Sequence, residues 1–419
     1  MIFGSYRGLP KEATRLIYSL ILPSVAYGML YTDISYFLTT VQGLPDVTMG
    51  IIVTLMGVST FVASIPLGIA ADRYGRKKTL IAGNIVASLT LAVFALTTNP
   101  AVLFAAAILE GVSEGATSAA ISALLAEKCE ATRRNSVFSL FGFAQSMAFG
   151  AGSFAIPAVV VFRVLGFGDR ESHILLYIAV ATLSLASTVL MFRISESRMP
   201  SKTKKTPSRL NIKGLFPQKS RDILAKYVLT GATIAFGAGL FVPLMTRWMN
   251  LQYGVADEVS GPILGATSLV IGVATLASPY LAKKLGLVKA VVVTQAASTL
   301  FMFATPLSPH FLLASSVYTV RAFLMNMSSP LEQSMIMGLV ATDERGAASG
   351  ISTALWRLPN ALSSFIGAWL MGIGFLALPF FIATAFYVVS IVMFWFFFKN
   401  TLMPEETAEC QRQVDVQKD

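Results

Sequence analysis

The chain is poor in the side chains that enzymes use. Its 419 residues include two cysteines, Cys129 and Cys410, and two histidines, His173 and His310. So few thiols exclude a disulfide-stapled secreted scaffold, and both fall in segments read below as cytoplasmic, where no disulfide is expected. There is no metal-ligand spacing and no phosphate-cradling loop, so no cofactor, no metal and no ATP drive is expected. Charge is scarce as well: 13% of residues are Asp, Glu, Lys or Arg, while 55% are hydrophobic and the mean hydropathy is +0.68. A water-soluble fold cannot hide that much apolar surface. In a soluble protein the formal charge of +10 would suggest a nucleic-acid partner, but the placement of the bases argues for membrane topology and no nucleic acid.

What the chain does have is long apolar runs. They read as spans at 16–41, 49–71, 79–98, 101–126, 136–162, 172–192, 223–249, 260–282, 288–305, 310–340, 347–374 and 377–398. Turn signals separate them, among them Gly43-Leu44-Pro45-Asp46, Asn99-Pro100, Gly166-Phe167-Gly168-Asp169 and Ser308-Pro309-His310. The expected class is an all-α polytopic membrane protein with twelve transmembrane helices. Apart from Arg163, Arg170, Arg247, Arg321 and Arg357, every Lys and Arg falls at the N-terminus, after an even-numbered span or in the C-terminal tail. That asymmetry predicts a multi-pass protein of the cell membrane with both termini in the cytoplasm. The first apolar run follows Arg7, Lys11 and Arg15, is too long for a signal-peptide core and lacks a clear cleavage site, so it is kept as helix 1.

The expected organisation is a six-helix bundle over 1–192, a basic cytoplasmic linker over 193–222 with a short surface helix near 212–216, a second bundle over 223–398 and a polar tail over 399–419. The linker carries Pro200, Pro207 and Pro217, which suits a solvated connection. The two bundles repeat at a constant offset of 211. Gly28 meets Gly239, Gly43 meets Gly254, Asp46 meets Asp257, Gly75 meets Gly286, Lys78 meets Lys289, Arg134 meets Arg345 and Phe154 meets Phe365. A gapless offset over so long a stretch describes parallel structural repeats.

Between the second and third spans lies Gly68-Ile69-Ala70-Ala71-Asp72-Arg73-Tyr74-Gly75-Arg76-Lys77-Lys78-Thr79, a short charged turn at a bilayer surface. Gly68 would let a helix end approach a neighbour, and Gly75 would allow a left-handed backbone. The pattern G-x-x-x-D-R-x-G-R-K-K resembles the loop signature between helices 2 and 3 of the major facilitator superfamily. The second copy is degraded, with Lys283-Lys284 in place of Asp72-Arg73. The resemblance covers nearly the whole chain. It implies a twelve-helix fold in two pseudo-symmetric halves, a central cavity lined by helices 1, 4, 7 and 10, and rocking of one half against the other. It assigns Gly68, Asp72, Arg73, Gly75 and Arg76 to a gating motif, with Asp72 latching the cytoplasmic side near the start of helix 11 and Arg73 supporting it.

Ionisable groups at membrane depth cost roughly 3 kcal/mol or more, so each needs a reason. They are Asp33, Glu110, Glu114, Arg321, Glu332 and Arg357. Glu110 and Glu114 are one turn apart on a shared face, and two carboxylates that close do not ionise independently. With Asp33 they are the candidates for proton coupling. Glu110 and Arg321 are repeat counterparts and are expected at similar depth on opposite cavity walls. Glu332 lies too far along its helix to touch Arg321 directly. Tyr31 and Tyr36, near Asp33, are expected to offer aromatic faces to a cation. The substrate-cavity set is then Tyr31, Tyr36, Arg321, Glu332 and Arg357, with Arg357 also a possible tie between halves. Arg247, beside Trp248, is expected to snorkel to the interface, and His173 and His310 to be unremarkable residues at span ends.

Gly111-Val112-Ser113-Glu114-Gly115 matches G-x-S-x-G, but it sits inside an apolar helix without a histidine partner. Gly111 and Gly115 read instead as small residues for close helix contact, as do Gly346 and Gly350. Pro23, Pro66, Pro157, Pro330 and Pro359 are expected to kink spans. Drug–proton antiporters of the superfamily often carry G-x-x-x-G-P-x-x-G-G in helix 5. Here Ser146-Met147-Ala148-Phe149-Gly150-Ala151-Gly152-Ser153 keeps the small residues without the Gly-Pro step. The expectation is a monomeric, non-enzymatic, proton-coupled transporter that exports lipophilic or cationic small molecules across the lipid bilayer. Uptake or exchange of an organic anion or sugar-like solute through Arg321 and Arg357 is the alternative, and a transport-inactive sensor or scaffold on the same fold is a third reading.

Overall fold

A computed structural model of the chain describes residues 10–128, 134–194, 220–340 and 345–400. Cys129, Cys410, residues 195–219 of the predicted linker and the tail from 401 lie outside the described residues. Among the described residues, fifteen α-helices and no strand are found, an arrangement that fits twelve helical segments. A chain that crosses lipid must satisfy its backbone groups within each segment, and helices do so without a partner strand.

The first half contains α1 Lys11–Ser19, α2 Ile21–Tyr36, α3 Asp46–Tyr74, α4 Arg76–Leu96, α5 Pro100–Glu127, α6 Arg134–Ala155, α7 Ala158–Val164 and α8 Asp169–Phe192. The second contains α9 Arg221–Gly239, α10 Met245–Tyr253, α11 Asp257–Leu285, α12 Leu287–Ala304, α13 Phe311–Leu339, α14 Arg345–Gly372 and α15 Leu378–Phe398. Among the described residues, nine stretches are long and apolar enough to cross a membrane. Their outer faces leave large apolar side chains such as Leu89, Val189, Leu300 and Phe396 exposed, as lipid-facing surfaces do.

Three passes are broken, the fifth at a proline expected to kink it. The first bends at Leu20 between α1 and α2 and ends in a π-helical turn, Phe37–Val41. The fifth breaks at Pro157. The seventh passes through a 3-10 turn, Val242–Leu244, containing Pro243, whose missing N–H and fixed φ disfavour an uninterrupted helix. Pro66, Pro330 and Pro359 lie inside continuous helices.

The repeat is written in the backbone. Gly43 and Gly254 carry φ of 74° and 67°, and Gly75 and Gly286 carry 114° and 78°. A β-carbon on Gly28 would lie 2.2 Å from the carbonyl oxygen of Phe149, and one on Gly239 would lie 2.0 Å from that of Asn360. Phe149 and Asn360 are themselves related by the offset of 211. The same bare-backbone contact therefore joins the first pass of each half to the fifth.

We call the end of the bundle remote from Lys11 and Phe398 the distal end, which the placement of bases predicts to be external. Buried apolar side chains there form one cluster through both halves, from Leu30, Phe37 and Phe94 to Phe241, Trp248 and Phe380. At the proximal end the described residues form separate cores. One surrounds Leu16, Ala71, Leu80 and Leu124, and another Leu287, Val291, Met335 and Phe394. Burial thus ties the halves together distally and holds each half to itself proximally.

Candidate functional site

Between the halves lies a cavity of about 700 Å³, lined by Tyr27, Tyr31, Glu114 and Phe149 from the first half and Arg321, Glu332, Arg357 and Tyr387 from the second. A second cavity of about 590 Å³ is walled mainly by the first half, including Asn84, Glu110 and Gln145. Glu114 and Arg357 line both.

Glu114 Oε1 meets Arg357 Nη1 at 2.5 Å, an ion pair between the halves. Tyr27 donates its hydroxyl to the same oxygen at 3.2 Å, and Thr60 donates to Oε2 at 3.1 Å. Thr60 reaches because α5 lies directly on α3. A β-carbon on Gly111 would sit 2.1 Å from the Met56 carbonyl oxygen, and one on Gly115 would sit 2.8 Å from that of Thr60. Two glycines one turn apart thus set the depth at which the carboxylate enters the cavity.

Glu110 is buried one turn earlier on α5 and accepts from the Thr90 hydroxyl of α4. The sequence joined Glu110 and Glu114 as one titrating pair, but in the fold each has its own partner. Nor do Glu110 and Arg321 oppose each other. Glu110 turns to α4 and the second cavity, whereas Arg321 lines the first. The unlike charges that meet across the cavity between the halves are Glu114 and Arg357.

Arg321 is 4% exposed. Its Nη2 donates to the Tyr387 hydroxyl at 2.5 Å, and its guanidinium lies 5.0 Å from the Phe241 ring centre and 5.4 Å from that of Tyr387. Its Nε meets no acceptor among the described residues. Aromatic faces, not a local acid, hold this charge. Glu332 accepts from Gln295 of α12.

Tyr31 takes its expected place on the cavity wall, its ring 5.9 Å from those of Tyr27 and Phe149. Asp33 and Tyr36 do not. Two and five residues from Tyr31 are turns of about 200° and 140° around a helix, which carry both side chains away from the cavity. Asp33 is wholly buried and accepts from the Tyr177 hydroxyl at 3.0 Å. Tyr36 is buried with its ring centre 6.5 Å from that of His173.

Two residues read as interfacial are also corrected. His173 is buried, with Nε2 2.9 Å from Asp257 Oδ2 across the halves. Arg247 does not snorkel. Its Nε and Nη2 donate to the two carboxylate oxygens of Asp46 at 2.7 and 3.0 Å, and Trp248 beside it is fully buried. The repeat had paired Asp46 with Asp257, two acids opening equivalent helices, and that was the signal for both contacts.

In the charged turn, Gly75 ends α3 with its φ of 114°. Arg76 pairs with Glu127 at 3.3 Å, Lys77 donates to the Phe192 carbonyl at 2.8 Å, and Arg73 lies 5.5 Å from the Tyr74 ring centre. A β-carbon on Gly68 would make an ordinary 3.5 Å contact with Ala119, so the close approach of α3 and α5 rests on Gly111 and Gly115 instead. The side chain of Asp72, and those opening α14, lie outside the described residues.

The family profile described as Major Facilitator Superfamily matches residues 16–364 and 227–415. The chain belongs to this superfamily. It is a multi-pass membrane transporter and not an enzyme. Multidrug resistance protein 2 of Bacillus subtilis (strain 168) is 23% identical over 330 residues, covering 76% of this chain and 79% of that one. An uncharacterized MFS-type transporter of Methanocaldococcus jannaschii is 20% identical over 338 residues, covering 80% and 83%. Among solved structures, the nucleoside transporter NupG aligns with a TM-score of 0.70 at 14% identity, over 93% of this chain and 100% of that chain. A bacterial homologue of the human lysosomal transporter Spinster, inward-facing and occupied, aligns with a TM-score of 0.74 at 12% identity, over 92% and 95%. At these identities the two structures speak for the shared fold.

Proposed function

We propose that the protein is a proton-coupled exporter of lipophilic or cationic small molecules, working by alternating access. The observation that carries this reading is the Glu114–Arg357 pair. A carboxylate of one half, held by an arginine of the other, is the group to which a proton or a cationic substrate competes for access. Either arrival releases Arg357 and weakens a tie between the halves, so ligand binding and rocking become one event. Tyr27, Tyr31 and Phe149 form an aromatic corner beside Glu114 that suits an organic cation. The likeness to a multidrug resistance protein supports the same direction. With the halves joined distally and their described cores separate proximally, the cavity faces the side of the termini, which the distribution of bases predicts to be cytoplasmic.

The test is flux of a lipophilic cationic dye in proteoliposomes under an imposed pH step. Wild-type dye movement should follow the proton gradient, and Glu114→Gln should lose that dependence. Normal coupling in Glu114→Gln would remove this residue from the mechanism. A second reading, exchange of an organic anion, is favoured by Arg321, whose buried guanidinium has no carboxylate among its described partners. Under it, Arg321→Gln abolishes substrate binding while Glu114→Gln retains it.

A further inference from the structure

Away from the transport cavity, Asp33 of α2, His173 of α8 and Asp257 of α11 converge at the distal end. One ligand atom from each lies within 4.8 Å of the other two, and all three side chains are 0–1% exposed. We infer that they form a binding site for a divalent transition metal, with zinc as the reference ion, that bridges the two halves.

The hydrogen bonds of the cluster orient its ligand atoms toward one another. His173 Nδ1 lies 2.8 Å from the backbone oxygen of Asp169, an acceptor. Nδ1 therefore donates to that oxygen, and Nε2 shares a hydrogen with Asp257 Oδ2 at 2.9 Å; an ion entering the cluster would displace that hydrogen and take the Nε2 lone pair. Tyr177 donates to Asp33 Oδ2, orienting that carboxylate from behind. Asp33 Oδ1 and Asp257 Oδ1 are both buried and meet no donor among the described residues. Outer partners that fix the histidine tautomer and the carboxylate rotamer are what metal-ligating groups ordinarily have.

Charge balance points the same way. The nearby arginine, Arg163, is engaged by Glu258 at 3.0 Å and Asp169 at 3.2 Å. Asp46, the repeat counterpart of Asp257, is neutralised by Arg247, but the position equivalent to Arg247 is Tyr36. Asp257 thus lacks the arginine its counterpart has, and Asp33 has Leu244 as its equivalent, so the site is unique to this side of the pseudo-symmetry. Two carboxylates and a neutral imidazole balance a 2+ ion. One nitrogen and two oxygens at about 2.0–2.2 Å suit zinc or a neighbouring transition metal, with a fourth position for water. The imidazole disfavours calcium and magnesium, which take oxygen ligands. Because Asp33 and His173 belong to one half and Asp257 to the other, a bound ion would hold the distal end shut.

The test uses the purified full chain without a polyhistidine tag, titrated with Zn²⁺ against a chromophoric chelator and with Co²⁺ followed by visible absorption. The expected result is one Zn²⁺ per chain and an intense tetrahedral Co²⁺ band. His173→Gln and Asp257→Asn should each weaken Zn²⁺ binding by at least about 100-fold, and Tyr177→Phe, which keeps all three ligands, by about 10–100-fold. His310→Gln should bind as wild type does. Thermal unfolding checks that each variant is folded, and Tyr177→Phe carries the test if the ligand variants are not. Stoichiometric Zn²⁺ lost in none of the site variants, no Zn²⁺ beyond what Asp257→Asn retains, or a Co²⁺ spectrum equal to that of the aqueous ion would overturn the site. None of these readouts depends on transport, so failure here leaves the proposed function untouched.

Discussion

Asp46 and Asp257 occupy equivalent positions at the start of the second pass of each half, and each reaches across to a base of the opposite half. Asp46 takes Arg247 through two hydrogen bonds, and Asp257 takes His173. Thr40 adds a contact, accepting from Arg247 Nη1 at 3.0 Å, and Thr246 donates to the Thr32 carbonyl nearby. The distal closure is therefore a polar latch laid over a shared apolar core.

Breaking that latch should favour the conformation open at the distal end. Both side chains of the Asp46–Arg247 pair are 14% exposed, so solvent does little to replace the lost bonds. Asp46→Asn should shift the equilibrium by on the order of 1–3 kcal/mol, which is about 5- to 150-fold in population. A cysteine at Thr39, buried when the distal end is closed, should react with a polar thiol reagent correspondingly faster. Unchanged labelling would show that the apolar cluster alone keeps this end shut.

The Glu114–Arg357 pair should behave as a coupled unit. Its side chains are 20% and 33% exposed, so water screens part of the interaction and single removals should cost about 1–3 kcal/mol, less than a fully buried pair. Arg357→Gln leaves Glu114 with two hydroxyl donors, Tyr27 and Thr60. Glu114→Gln leaves Arg357 without its acid, so it should destabilise the protein more. Thermal unfolding of the two singles and the double in detergent checks this, and the double should recover part of the loss. Strict additivity would mean the two groups do not interact.

The architecture was legible in the sequence because lipid demands long apolar runs and because glycine is the residue that tolerates the backbone at positions 43, 75, 254 and 286. The breaks at Leu20 and around Pro243 were not, since a helix interruption inside an apolar run does not alter its hydropathy. Glu114, Arg321 and Arg357 stood out as charges where charge is costly. Their partners did not, because which side chain faces which across two bundles depends on lateral packing, here set by Gly111 and Gly115. That Asp33 and Tyr36 leave the face of Tyr31 is written in their spacing around one helix. The role of His173 is not legible, because a histidine near a span end gives no local sign of an acid supplied by the other half.

The glycines make a sharp contrast. Gly111 faces the Met56 carbonyl oxygen and Gly239 that of Asn360, with no room for a β-carbon, whereas Gly68 meets Ala119 at ordinary contact distance. Backbone cannot swing aside as a side chain tip does, so Gly111→Ala and Gly239→Ala must push whole helices apart, at a cost of about 1–3 kcal/mol each. Gly68→Ala should unfold within a degree or two of wild type. Thermal unfolding of the three variants ranks them, and a large loss at Gly68 with none at Gly111 would contradict the helix contacts described.

Tyr387 should set how Arg321 is held. The guanidinium is buried, donates to the tyrosine hydroxyl and rests between two aromatic rings. Tyr387→Phe keeps the ring and removes the acceptor, leaving a buried charge-assisted hydrogen bond unmade at a cost of about 1–3 kcal/mol. If the arginine instead finds water or a ligand anion in the adjoining cavity, that loss should shrink. Measuring the unfolding temperature of Tyr387→Phe with and without a panel of organic anions separates the cases. An anion that restores stability to Tyr387→Phe but does nothing for Arg321→Gln would identify Arg321 as an anion-binding group and strengthen the exchange reading. Stability unaffected by any anion, with a loss of the size given above, would make the arginine a structural cation held by its aromatic neighbours.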